Sequence, residues 1–225
     1  MGGFYFYFAE YVPYCLDYDS KLAPISIPDD AKVVQYDYFR KADKIFIEKV
    51  INIEDWEMWD NEELCLQAVE HNGLFLSFVK NQTEAIALEA VKQHGLALEF
   101  VKNQTDNICL EAVKQNGWTL EYVKNQTEAI ALEAVKSNGS ALKFVKNRTD
   151  ALCLEAVKQS VWALEYVKNQ TETICLEAVK QNGFVLQFVQ NQTDLICFEA
   201  IKNKKKAMKF VKNRKDVICI VAKKN

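Results

Sequence analysis

The sequence predicts a mainly α-helical protein, an α-solenoid of short helical hairpins that follows a small β-rich N-terminal head. Three observations predict this fold class. First, most of the chain repeats itself with a period of 22 residues. Second, Glu, Ala, Lys and Gln, which favour helices over strands, separate the apolar positions of each repeat. Third, only 7 glycines and 3 prolines occur among 225 residues, which indicates long stretches of regular structure.

Asparagine and threonine mark the repeat. A threonine follows each of the first six recurring asparagines by two positions. The asparagines are Asn81, Asn103, Asn125, Asn147, Asn169, Asn191 and Asn213. Six full repeats therefore occupy residues 81–212, after a degenerate copy at about 59–80 and before a truncated copy at 213–225. We divide the chain into a head, residues 1–58, and a helical array, residues 59–225.

The head does not follow the period. Two stretches, residues 23–34 and 42–51, have the alternating or wholly apolar patterns that are typical of short strands. Trp56 and Trp59 then lead into the array. We therefore expect a small β-rich cap at this end of the chain.

The first helix of each repeat begins at its threonine, as residues 103–124 illustrate. The hydroxyl of Thr105 can accept a hydrogen bond from a free amide of the first turn, and Asp106 suits the positive end of the helix dipole. The apolar residues that follow share one helical stripe. They are Ile108, Cys109, Ala112 and Val113. Asn116 and Gly117 are expected to end the helix, with the glycine in the left-handed conformation.

The second helix is predicted to make about two turns, from Trp118 to Lys124, with Leu120 and Val123 on its buried side. Helices this short are marginal alone, so stacked neighbours must bury their apolar stripes. In one later repeat Val161 stands in the glycine position. We expect a remodelled helix end there.

The sequence argues against two other repeat architectures. If each Asn-Gly pair formed a hairpin turn, the repeats would be β-hairpins. The helix-forming residues between the apolar positions argue against this alternative. A leucine-rich repeat has a similar length, but its L-x-x-L-x-L-x-x-N signature is absent from the sequence.

The unit LEAVKQNGWTLEYVKNQT, residues 110–127, resembles an uncharacterised helical repeat, a domain of unknown function that is abundant in proteins of mimivirus-like giant DNA viruses of amoebae. The segments PDDAKVV (28–34) and FRKADKIFIEK (39–49) look like an N-terminal segment of some of those proteins. The resemblance covers roughly residues 20–225. It implies a viral origin and repeat-mediated interaction, and it implies no catalytic activity.

We expect no enzymatic activity, and no catalytic, cofactor or metal site. The carboxylates recur in step with the repeat, whereas an active site would interrupt it. Six cysteines share one slot with Ala87 and Ala131, which indicates a place for a small apolar group. They are Cys65, Cys109, Cys153, Cys175, Cys197 and Cys219. His94 occupies a helix-end position, and no cysteine or histidine spacing is typical of zinc.

The position after the glycine varies between repeats, so it is a place where a partner could be recognised. It holds Leu74, Leu96, Trp118, Ser140, Trp162, Phe184 and Lys206. We select Trp118, Trp162 and Phe184 as candidate partner-binding residues, because tryptophan is favoured in interface hot spots. The alternative is that these rings cover the hairpin ends as part of the core.

The C-terminal end is strongly basic, with ten bases and one acid in residues 200–225, although the net charge of the whole chain is −3. The candidate basic patch comprises Lys202, Lys204, Lys205, Lys206, Lys209, Lys212, Arg214 and Lys215. This patch could bind nucleic acid through phosphates, form a solvated cap, or meet the acidic head of another copy and produce head-to-tail association.

We interpret the chain as a non-enzymatic scaffold that binds an unidentified protein partner. The alternative is binding of nucleic acid or of an acidic partner through the lysine-rich end. No run approaches the ~20 apolar residues of a membrane span. The aromatic start lacks a basic leader, and Glu10 interrupts it. We therefore expect a protein without a membrane segment or secretory signal, inside the cell, and in the host cytoplasm if viral.

Overall fold

A computed structural model describes the backbone of residues 57–213 and of seven short strands before them, and the side chains of residues 59–213. In chain order the strands are β1 (Phe4–Tyr7), β2 (Lys21–Leu22), β3 (Ile25–Ser26), β4 (Val33–Gln35), β5 (Phe39–Ala42), β6 (Phe46–Ile47) and β7 (Ile51–Asn52). Strand β5 lies between β1 and β4, while β2 pairs with β7 and β3 with β6, all antiparallel. Because most of residues 1–58 lie outside the described residues, the β-rich head stays a prediction.

The chain forms two compact units, Met1–Asn103 and Gln104–Asn225. In the first unit, a 3-10 helix at Glu57–Asp60 precedes α1 (Glu62–His71) and α2 (Glu84–Gln93). Each of these α-helices is followed by a 3-10 helix, at Gly73–Ser77 and Gly95–Phe100. Helix α1 packs against α2.

The second unit contains five copies of the same pair of elements. Its α-helices are α3 (Asp106–Gln115), α4 (Glu128–Ser137), α5 (Asp150–Gln159), α6 (Glu172–Gln181) and α7 (Asp194–Asn203). Its 3-10 helices are Gly117–Tyr122, Gly139–Phe144, Val161–Tyr166, Gly183–Phe188 and Lys205–Phe210. Each α-helix packs against the next. The prediction of a mainly helical chain of repeated units is confirmed.

The threonine cap and the apolar stripe agree with the sequence analysis. Thr105 Oγ1 accepts a hydrogen bond from the amide of Ile108 at 3.4 Å, and the other five threonines do the same in their repeats. The buried residues of α3 are the four that the pattern predicts: Ile108, Cys109, Ala112 and Val113. Burial of this stripe between neighbouring helices is what stabilises helices of only 10 residues.

The second helix of each repeat differs from the prediction in type and end point. It is a 3-10 helix that runs from Gly117 to Tyr122 rather than to Lys124, because Val123 is already extended, with φ −72° and ψ 115°. A 3-10 helix completes a turn every 3.0 residues, so six residues give the two turns expected. Leu120 and Val123 are buried, as predicted.

The α-helix ends at Gln115, just before Asn116 and Gly117, as predicted, but the prediction that Gly117 is left-handed is wrong. None of the described glycines has a positive φ. Asn116 is extended, with φ −152° and ψ 108°, and its side chain accepts from the amide of Trp118. A Cβ on Gly117 would overlap the carbonyl oxygen of Ala134 and lie 3.1 Å from the Asn138 nitrogen. Glycine fits here because the backbone of the next repeat lies close to Gly117, so an added Cβ would force that backbone or its neighbours to shift.

The prediction of a remodelled helix end at Val161 is also wrong for the backbone. Ser160 has φ −146° and ψ 113°, close to the values at Asn116. Because no left-handed residue is needed, valine can follow the same path. The side chain of Ser160 makes no capping hydrogen bond, whereas that of Asn116 does.

Candidate functional site

A row of glutamine side chains joins successive turns, and the sequence analysis missed it. Gln126 Nε2 donates to the carbonyl oxygen of Phe144 at 3.0 Å, while its Oε1 accepts from the amide of Lys146 at 3.0 Å. These bonds tie the turn before α4 to the turn after the following 3-10 helix. We call the set the glutamine ladder. It consists of Gln82 in the first unit and Gln104, Gln126, Gln170 and Gln192 in the second.

The ladder explains why glutamine recurs between the asparagine and the threonine of the repeat. A primary amide has both a donor and an acceptor, so it satisfies one carbonyl and one amide of the same turn. The signal that could have revealed it is the recurrence of glutamine at one polar slot in every full repeat except one, where Arg148 stands.

Lysines at the ends of the repeats also bond to the backbone. Lys146 Nζ donates to the carbonyl oxygen of Lys124 at 2.9 Å. Lys212, a member of the candidate basic patch, donates in the same way to Gln190 at 2.9 Å. These lysines therefore contribute to the packing of successive turns as well as to surface charge.

Arg148 interrupts the glutamine ladder. Its Nε donates to the carbonyl oxygen of Leu142 at 3.0 Å, and its Nη2 donates to that of Lys143 at 2.8 Å. A guanidinium has no acceptor atom, so it cannot accept the amide hydrogen of Lys168 as a glutamine would. The repeat at 147–168 thus lacks a connection that the other full repeats have.

The candidate partner-binding rings Trp118 and Trp162 are exposed, with 41% and 45% of their surface accessible. The Trp118 ring meets Phe144 of the next repeat edge-on at 5.5 Å between centroids, and Trp162 meets Phe188 at 6.1 Å. Each tryptophan therefore packs against a phenylalanine on one side and is open to solvent on the other. It covers part of the hairpin end, and it also offers a free surface to a partner.

Phe184 is more covered than the tryptophans, because its side chain is partly buried. Its ring contacts Phe210 at 6.4 Å, and the ammonium of Lys209 lies 5.9 Å from its centroid. We call Trp118, Trp162 and Phe184, with the three phenylalanines that they contact, the aromatic ridge. All six residues belong to the second unit.

The described part of the basic patch is exposed, but several of its lysines have partners. Lys202 forms an ion pair with Glu199 at 3.8 Å, and Lys209 lies 4.6 Å from the ring centroid of Phe210. The exposed members are Lys202, Lys204, Lys205, Lys206, Lys209 and Lys212. Arg214 and Lys215 lie outside the described residues.

The cysteine slot is buried, as its exchange with alanine predicts. The five described cysteines are reduced thiols that expose 1–3% of their surface. Burial raises the pKa of Cys109 to about 11, and the carboxylate of Asp106 adds to the effect while Lys124 opposes it. Desolvation likewise raises the pKa of each of the other four. Such thiols stay protonated near neutral pH and are poor nucleophiles.

The two histidines lie at helix ends. His71 is the last residue of α1, and His94 follows α2 as its C-cap. In the part of the chain whose side chains are described, no three His, Cys, Asp or Glu residues are grouped so that they could hold a metal ion. Within the same residues, no helix has the length and apolar character needed to span a bilayer.

The fold and the ladder define a repeat protein whose unit is one α-helix followed by one 3-10 helix. Four overlapping stretches, residues 61–105, 83–128, 105–149 and 127–171, match the model of a family described as Domain of unknown function (DUF4116). The prediction of an uncharacterised repeat family is supported by this match, and the viral origin stays a prediction. No curated protein and no solved structure matches the chain.

Proposed function

We propose that the protein is a non-enzymatic scaffold, an α-solenoid that binds a partner protein along the aromatic ridge. The observation that carries the proposal is the exposure of Trp118 and Trp162 in the same slot of two repeats. Among the described residues, the only other large hydrophobic side chain that is exposed is Leu195. Exposed tryptophans that are regularly spaced are typical of interaction surfaces rather than of a solvated face.

The ridge is suited to binding because its rings are already held in place. Phe144 and Phe188 support the two tryptophans edge-on, so a partner would lose little conformational entropy in ordering them. With neighbouring repeats roughly 10 Å apart, the tryptophans would lie roughly 20 Å from each other, a span suited to a helix or an extended segment of the partner. Truncation of a hot-spot tryptophan to alanine weakens binding by about 2 kcal/mol or more.

The resemblance to repeats of amoebal giant viruses extends the proposal to the biological setting. There the protein would act on viral or host partners inside the infected cell, without catalysing a reaction. The roles of the polar residues support a function without catalysis. They form helix caps, ladder bonds and surface ion pairs, which are structural roles.

Affinity purification from infected cells tests the proposal, with the full chain and a W118A/W162A variant as baits. We expect a partner that the full chain captures and the double variant loses. The matched control is L195A, which removes an exposed apolar side chain of α7 outside the ridge and should retain the partner. No partner above background, or equal capture by both baits, would contradict the proposal.

A second candidate function is binding of nucleic acid through the basic patch, and the six exposed lysines between residues 202 and 212 favour it. Affinity from phosphate contacts should fall steeply with salt concentration. Charge reversal at Lys204, Lys205 and Lys206 should abolish binding to a short duplex at low salt. If the unmodified protein shows no binding under those conditions, this candidate is excluded.

A further inference from the structure

Two equivalent clefts in the second unit differ in size and in charge. The first, of about 90 Å³, is lined by residues that include Gln126, Glu128 and Asn147. The second has a volume of about 150 Å³. It is lined by the residues that lie 22 positions after those three, namely Arg148, Asp150 and Asn169, and by two lysines. Its full lining is Lys146, Arg148, Asp150, Cys153, Lys168 and Asn169. We call it the Arg148 cleft.

The cleft is larger where the glutamine ladder is interrupted. In the first cleft, Gln126 bridges to the carbonyl oxygen of Phe144 and the amide of Lys146. In the second, Arg148 keeps the bond to the carbonyl oxygen six residues before it, that of Leu142, which corresponds to the bond of Gln126 to Leu120. Its other printed bond goes to the carbonyl oxygen of Lys143, and the bridge to the end of the repeat is lost. Arg148 therefore brings no acceptor oxygen to the amide of Lys168.

The interruption leaves the amide of Lys168 without its usual acceptor. The corresponding amides in the other full repeats of this unit each donate to a glutamine Oε1 at 2.9–3.0 Å. Arg148 offers only donors, so it cannot replace that oxygen. An oxygen atom brought by a ligand would supply the missing acceptor.

The side chains of the cleft add further hydrogen-bond donors, and these donors are positively charged. Two of the five N–H groups of Arg148 are used on Leu142 and Lys143, which leaves three and holds the guanidinium in place. Lys168 Nζ makes no hydrogen bond or ion pair with the described residues, whereas the equivalent Lys146 Nζ bonds to a backbone carbonyl. Three cationic side chains and one carboxylate, that of Asp150, give the lining a net charge of +2.

We propose that the Arg148 cleft binds an oxyanion of phosphate size. One oxygen replaces the absent glutamine Oε1 at the Lys168 amide, and the others accept from Arg148 and the lysines. The volume of about 150 Å³ is several times the ~30 Å³ of one water molecule, so five heavy atoms fit. A net charge of +2 suits a dianion, and arginine binds phosphate through paired donors. The proposal does not depend on the aromatic ridge.

Titration of the full chain with inorganic phosphate, at constant ionic strength in chloride, tests the proposal. Two-dimensional NMR of backbone amides should show a saturable shift at Lys168. In R148Q, which restores the residue of the other repeats, the dissociation constant should rise by about tenfold or more. Because R148Q also restores the ladder, its thermal stability without phosphate should equal or exceed that of the unmodified protein.

Two further variants distinguish phosphate binding at a specific site from general electrostatic attraction to the protein. K180Q removes one exposed positive charge outside the cleft and should bind phosphate almost as the unmodified chain does. D150N removes the carboxylate from the cleft and should bind more tightly. Equal weakening in K180Q and R148Q, or an unchanged affinity in R148Q, would overturn the proposal.

A parallel titration with O-phosphoserine distinguishes the sources of the anion. Tighter binding than inorganic phosphate assigns the cleft to a phosphorylated side chain of a partner, and weaker binding assigns it to the free ion. A short single-stranded DNA that binds more tightly than both, with the same loss in R148Q, would replace the isolated oxyanion with a nucleic-acid backbone and overturn the proposal as stated.

Discussion

Replacing Gly117 with alanine tests whether glycine is present because of the close approach of the next repeat. Two effects of the replacement change the free energy of unfolding in opposite directions. Its φ is not positive, so alanine should fit the backbone and stabilise the protein by about 0.4–1 kcal/mol through the unfolded state. However, the added Cβ would lie closer than 3.0 Å to a backbone oxygen, that of Ala134. Relieving such overpacking costs about 1–3 kcal/mol. We therefore expect G117A to lower the free energy of unfolding by about 1–2 kcal/mol.

Urea denaturation followed by circular dichroism measures this change, and the chain provides its own control. Val161 occupies the equivalent position and already carries a Cβ, so V161A should cost less than about 1 kcal/mol. G139A should behave like G117A, because its Cβ would overlap the carbonyl oxygen of Ala156. If G117A and G139A were as stable as the unmodified protein, or more stable, the close-approach explanation would be refuted.

Two other predictions concern the ladder and the thiols. Q126A should lower the free energy of unfolding by about 1–3 kcal/mol in urea denaturation, since it leaves the amide of Lys146 without its acceptor; an unchanged stability would show that water replaces the bond. C109A should change stability by less than about 1 kcal/mol at neutral pH, because alanine fills the same slot at Ala131. The raised pKa of Cys109 means that the folded state holds its proton more tightly than the unfolded state, so the stability present below pH 9.0 should decrease towards pH about 11. Urea denaturation across this pH range should show a smaller loss of stability in C109A than in the unmodified protein. Equal losses would contradict the raised pKa of Cys109.

The sequence predicts the features that depend on a residue's own neighbours along the chain. Thr105 caps a helix and Ile108 lies on its buried stripe because hydroxyl chemistry and the 3.6-residue period are local properties. The spacing of 22 residues predicts the number of full repeats for the same reason. These parts of the fold follow from patterns within one repeat.

The features that the sequence could not supply depend on residues that lie far away along the chain. A glycine after a helix serves equally well for a left-handed turn or for a close approach, and only the position of Ala134 distinguishes the two. Likewise, a glutamine in a polar turn is typical of solvent exposure, so the residues around Gln126 do not indicate that it bonds to residues 18 and 20 positions later, at the other end of its repeat. Arg148 becomes informative only once those bonds are known.

The short reach of the ladder bonds has a consequence for synthesis of the chain. Each bond joins residues that are separated by 18 or 20 positions within one repeat, so a glutamine can bond to its partners as soon as its own repeat has been made. At about 5–20 residues per second, a ribosome adds a repeat in about 1–4 seconds. Folding can therefore proceed repeat by repeat during translation, without waiting for the C-terminus to emerge.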